Sequence, residues 1–152
     1  MTQSHFTLRF PLKTPPDTKA LTDQLSPLMP ALFEAEDSIA TVHYSRFTVL
    51  SERTLLFLAD FDGEFGPLML DLAKRAGPVF DVIFKHVSDP PPGPVANNAD
   101  AFAEWAAEHL LHPAYVYSAY PRPTVKEIKA MSATAGVKGA TPVAPVPGDP
   151  AC

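Results

Sequence analysis

The placement of proline sets the first limits on this chain. Eighteen prolines among 152 residues is more than twice the average usage of about 5%. Each removes an amide donor and biases the residue before it toward extended backbone. Four of them fall in Asp89-Pro90-Pro91-Pro92-Gly93-Pro94, which can be neither helix nor central strand and reads as a stiff surface connection. Pro142, Pro145, Pro147 and Pro150 lie in a stretch of Ala, Gly, Val and Pro with almost no large apolar side chain, so residues 132–152 are expected to form a disordered tail. Most of the others, at 11, 15, 16, 67, 113, 121 and 123, punctuate the ends of elements. What remains is one domain over residues 1–131, and with 46% apolar residues overall the chain can bury a sizeable core.

Between these breaks the hydrophobic periods are distinct. Phe6, Leu8, Phe10 and Leu12 alternate with His5, Thr7 and Arg9, the period of two of a half-buried strand. Leu21, Leu25, Leu28 and Leu32 follow at helical spacing, and Ser26-Pro27 can start a new helix, so a bent helix or two short ones are expected over about 17–37. Ala40 to Leu50 and Thr54 to Phe61 are rich in β-branched and aromatic residues and flank Ser51-Glu52-Arg53, which predicts a hairpin. Pro67 can open a helix carrying Leu68, Met69, Leu72 and Ala76, interrupted at Gly77-Pro78 before Val79, Phe80, Ile83 and Val87 resume the stripe. A short helix is expected over 99–111 with Phe102, Trp105, Ala106 and His109 on one face, then a last strand over Ala114–Tyr120 and one or two helical turns over Thr124–Met131.

The order strand, helix, strand, strand, helix, strand is that of an α+β, ferredoxin-like βαββαβ fold. It forms an antiparallel sheet with helices on one face, here with an extra short helix before the last strand. The second face needs a cover, a ligand or a partner subunit. On the element order, the hairpin HYSRFTVL…TLLFLADFDGEF and the closing YVYSAYP, the chain over roughly residues 4–122 resembles the dimeric α/β-barrel superfamily, whose members pack two such sheets face to face. The resemblance implies a homodimer with a small-molecule site on the open sheet face. The superfamily includes cofactor-free monooxygenases, haem-dependent dismutases and peroxidases, isomerases and regulatory ligand-binding modules, so fold does not choose among them. It also admits haem as a cofactor, with His86 as the axial ligand on a helix.

Charge narrows the partners. Twelve Lys and Arg against 17 Asp and Glu give a net charge of −5, and the basic residues are scattered. Neither nucleic acid nor an acidic membrane surface is expected as a partner. No apolar run approaches the roughly 18 residues of a membrane span. The start MTQSHFTLRFPLK lacks a secretory signal pattern, and the single cysteine, Cys152, permits no disulfide within the chain. The expectation is a soluble cytoplasmic protein.

Polar residues concentrate on the hairpin, with His43, Tyr44, Ser45 and Arg46 on one strand and Asp60 and Asp62 on the other. Register decides which of them meet. If Ser51 pairs with Thr54, His43 faces Asp62 and the two can act as an oriented general base. If Leu50 pairs with Thr54, Tyr44 faces Asp60 with Arg46 diagonal to it, a set able to hold a carboxylate or enolate-like oxygen. His43, Arg46 and Asp60 are thus the candidate catalytic residues, Tyr44 and Asp62 the candidate substrate contacts, and His86 the candidate cofactor ligand. The plainer readings are a cross-strand ion pair for Arg46 and Asp60, a strand-ending turn at Asp62-Gly63-Glu64, and a helix C-terminal role for His86. Packing or capping is expected of His109 and His112, and packing of Tyr115, Tyr117 and Tyr120. No nucleophile elbow, Walker loop, GxGxxG or zinc-helix spacing is present.

Overall fold

The structure is a computed structural model and describes residues 2–13 and 18–136. Strand β1 (Gln3–Pro11) leads to helices α1 (Thr18–Leu25) and α2 (Met29–Ile39), joined by a 3-10 turn over Ser26–Leu28. The hairpin β2 (Val42–Ser51) and β3 (Thr54–Asp62) follows, then α3 (Phe65–Phe84), α4 (Ala99–Glu108), a two-residue strand β4 (Leu110–Leu111) and α5 (Val125–Thr134). The strands form one antiparallel sheet in the order β2-β3-β1-β4. The fold is therefore α+β with an open four-stranded sheet. No described helix is long and apolar enough to cross a membrane.

The alternation in β1 does what its period requires. Phe6, Leu8, Phe10 and Leu12 are buried and, through the register Phe6↔Ala59, Leu8↔Phe57 and Phe10↔Leu55, share a face with the buried side chains of β3. Helices α3 and α4 cover this face. Phe80 bridges Phe57 of the sheet and Phe102 of α4, with ring centroids 6.0 and 4.9 Å away. Each such buried side chain contributes about 1.5–3 kcal/mol of transfer free energy.

Several sequence expectations are corrected. The interruption at Gly77-Pro78, by contrast, is found: Ala76 leaves helical geometry (φ −123°, ψ 17°), and a second helical segment runs on from this kink to Phe84. Pro78 lacks the amide that would bond one turn back, and its ring crowds the preceding turn. Packing resumes because Val79, Phe80 and Ile83 remain buried against the sheet. The helix expected over 99–111 stops at Glu108, and Leu110–Leu111 pair with Leu8 and Thr7 instead. Ala114–Tyr120 forms no strand and is largely exposed. Its β propensity is real, but a strand needs a neighbour to bond, and Pro113 ends the pairing that Leu111 begins. Helix α5 forms where expected, with a reciprocal capping box between Thr124 and Glu127. It runs to Thr134, three residues into the expected tail; residues 137–152 of that tail lie outside the described residues.

Candidate functional site

Hairpin register resolves into a mixture of the two alternatives. Ser51 pairs with Thr54 at the turn, but an irregularity between Val49 and Ser51 shifts the ladder so that Tyr44 faces Asp60 and Arg46 faces Leu58. A second irregularity, between Val42 and Tyr44, leaves His43 as the extra residue of β2. A bulge of this kind re-aims one side chain without disturbing the rest of the strand. His43 thereby reaches Asp62 although no ladder pair joins them.

The uncovered face of the sheet carries three cross-strand rows, because directly paired residues share a face. One row is His5, Asp60 and Tyr44; the next is Leu111, Thr7, Leu58 and Arg46; the third is Arg9, Leu56 and Thr48. Leu56 and Leu58 are half-buried on a strand whose other face is fully buried. Cations therefore stand at both edges of a small aliphatic floor, and an imidazole–carboxylate pair stands at one end.

That pair is His5 Nδ1 donating to Asp60 Oδ1 at 2.5 Å, with side chains 22% and 39% exposed. Nδ1 is thus committed to Asp60 and the far nitrogen, Nε2, carries no partner among the described residues. A carboxylate that fixes the ring and its tautomer in this way is the arrangement a proton-accepting histidine needs. Asp60 is therefore engaged by His5 rather than Arg46, and the expected Arg46–Asp60 ion pair is absent among the described residues. Tyr44 is 71% exposed. The sequence carried a signal for His5 that went unused: it shares the parity of Thr7 and Arg9 on β1, the strand that lies beside β3.

His43 and Asp62 occupy the end of the same face but are enclosed. His43 Nε2 donates to Asp62 Oδ1 at 2.8 Å, with side chains 5% and 2% exposed. Asp62 Oδ2 accepts the amide of Val125 at 2.8 Å, so one carboxylate ties the β2 bulge to the first turn of α5. A helix N-terminus offers unpaired amides and a positive dipole end, both favourable to a carboxylate.

Glu36 is the second group that sequence reasoning missed. It lies on α2 facing β2, 8% exposed, and its Oε2 accepts the Ser45 hydroxyl at 2.8 Å. Its Oε1 has no partner. Burial raises its pKa from 4.5 to about 7, against the opposing effect of the Ser45 hydrogen bond.

His86 is remote from all of these, at the end of β1 where Leu12 bridges to Val87. Its Nε2 donates to Gln24 Oε1 at 3.1 Å and its carbonyl accepts the Lys13 amide. An axial haem ligand needs that nitrogen's lone pair directed into an apolar cleft. Here Nε2 is engaged by a polar side chain on a seam lined by Lys13 and Lys85, whose carbonyl Lys13 Nζ also binds, so these residues do not fit haem. His109 caps α4, its Nδ1 donating to the Trp105 carbonyl at 2.8 Å while its ring stacks on Trp105. His112, Tyr115, Tyr117 and Tyr120 are exposed, so packing within the chain is not what holds them. Among the described residues no three of His, Cys, Asp and Glu gather closely enough to hold a metal ion. Compared with family models, curated proteins and solved structures, the chain matches none.

Proposed function

We propose that the chain is one protomer of a homodimer of ferredoxin-like sheets packed face to face, as in the dimeric α/β-barrel superfamily, and that the space between the sheets binds a small molecule. The observation that carries this reading is the row His5–Asp60–Tyr44 beside the half-buried Leu56 and Leu58 on an uncovered face. The chemistry of that face favours a small, flat, largely apolar anion. Leu56 and Leu58 supply the floor, Arg46, one row from the His5 row, the counter-charge, and His5, oriented by Asp60, a proton acceptor. Proton transfer at a carbon beside a carbonyl, as in an isomerase, suits these groups best; the proton passes to His5 Nε2 and returns to another atom of the ligand.

A second reading, a non-catalytic ligand-binding or assembly module dimerising through the sheet, draws support from the exposed Tyr115 and Tyr117. Native mass spectrometry of the full chain tests the dimer and the ligand together. The expected spectrum is a two-chain species with retained mass that Arg46→Ala removes while the dimer persists. A wild-type monomer at tens of micromolar would overturn the proposal. A dimer whose ligand mass is unaffected by Arg46→Ala would overturn the anion site and leave the assembly module.

A further inference from the structure

The segment His112–Pro123 is described throughout, yet none of its residues makes a backbone or side-chain hydrogen bond to another described residue. Its side chains are no better placed. Tyr115 is 97% exposed, Tyr117 88%, Tyr120 74% and Val116 49%. Three tyrosines and a valine within six residues is a sequence with strong β propensity and a large apolar content, and here Tyr115 and Tyr117 stand almost entirely in water while Val116 is half covered.

Both ends of this segment are anchored. Leu111 pairs with Thr7 on the outer edge of β1, and Val125 is tied to Asp62. From strand spacing and rise, those anchors are about 16 Å apart, whereas the intervening residues extended would span about 45 Å. The slack lets the tip, near Tyr117, stand about 20 Å from the line joining its anchors, twice the roughly 10 Å between packed sheets. The arm springs from the edge of the uncovered face, beside the row that holds His5, Asp60 and Tyr44. The molecule thus presents two uncovered surfaces, an aromatic arm and a sheet face with a leucine floor, and the arm is long enough to leave its own domain.

We propose that the two surfaces are exchanged between two copies of this chain: the arm of each protomer, through Tyr115 and Tyr117, packs across the rim of its partner's sheet face and forms one wall of the partner's ligand site. A twofold axis makes the contact reciprocal, so one pair of surfaces covers both copies. The inference rests on the face-to-face dimer proposed above and adds that each site is incomplete without the other chain.

Three variants of the full chain separate the two claims: Leu58→Glu on the face, Tyr115→Ser with Tyr117→Ser on the arm, and a mixture of the two proteins. Sedimentation velocity reports assembly, and circular dichroism confirms that each variant is folded. Arm exchange predicts a dimer for the wild type and at least 30-fold weaker dimerisation for each variant alone. The mixture should recover part of the loss, because the intact arm of the face variant meets the intact face of the arm variant. An arm variant that dimerises as the wild type does, while Leu58→Glu does not, overturns the arm exchange and leaves the sheet dimer standing. A wild type that stays monomeric overturns both. Two weakened variants whose mixture shows no recovery overturn reciprocity, and with it the exchange.

Discussion

Asp62 and His43 meet at 2.8 Å in a nearly solvent-free corner, and the second oxygen of the same carboxylate holds the amide of Val125. One side chain therefore couples three parts of the chain: the bulge that starts β2, the end of β3 and the first turn of α5. Removing one partner of a buried polar pair strands the other, which costs more than the pair contributes when intact. Asp62→Ala is expected to lower stability by about 3 kcal/mol, read from urea denaturation. Limited proteolysis should cut first near Lys126 and Lys129 as α5 detaches. If α5 stays protected in that variant, the tie through Asp62 is not what docks it.

Glu36 gives the pH dependence of stability a definite sign. Its carboxyl titrates near 7 when folded and near 4.5 otherwise, so the folded state binds the extra proton between those values. Stability therefore falls as pH rises from about 4.5 through 7 and levels off above, an effect of up to about 3 kcal/mol. Glu36→Gln, which keeps the shape and a group able to bond Ser45, is expected to remove this decline. Unfolding midpoints at pH 5 and pH 8 would check it. A wild type whose Glu36-dependent stability rises over that interval contradicts the assignment.

Gly77 sits where α3 passes the turn before α4. A Cβ built there would lie 3.0 Å from both the Cβ and the backbone nitrogen of Ala96, closer than neighbouring atoms tolerate without moving backbone. Although alanine favours helix over glycine, Gly77→Ala should destabilise by about 1 kcal/mol or more through overpacking. A higher thermal midpoint in the variant would show that the Val95–Asn97 turn yields easily.

Proton transfer by His5 leads to an experiment that needs no natural ligand. Phenylpyruvate, a flat anion with exchangeable hydrogens beside its keto group, should lose those hydrogens to D2O faster with the wild-type protein than in buffer. His5→Gln should cut the protein-dependent part at least tenfold, and Asp60→Asn should lower it less, because it disturbs only the orientation of the ring. Proton NMR follows the signal directly. Equal rates for wild type and His5→Gln would exclude His5 as the acceptor for this class of ligand.

Much of the fold was legible because hydrophobic period is a local property. The alternation at Phe6–Leu12 and the stripe from Leu68 to Ile83 each specify an element by themselves, and each element is found. Ala114–Tyr120 shows the opposite case: a strand depends on a partner elsewhere, and the sequence of the segment does not contain that partner. The candidate site divides along the same line. Asp60, Arg46 and Tyr44 were recognisable from residue type and position on the hairpin, whereas His5 joins Asp60 only because β1 lies against β3, 55 residues away in the chain.

By itself the sequence determined where prolines forbid regular structure, which face of β1 is apolar and that helices must cover it. These follow from backbone sterics and side-chain spacing over a few residues. Only the tertiary structure decided that bulges at both ends of β2 blend two registers, that His43 is enclosed with Asp62 while His5 takes Asp60, and that Glu36 is buried with an unpaired oxygen. Each of these depends on a displacement of one residue in strand pairing or on contact between distant segments, and a one-residue displacement turns a side chain from one face of a sheet to the other.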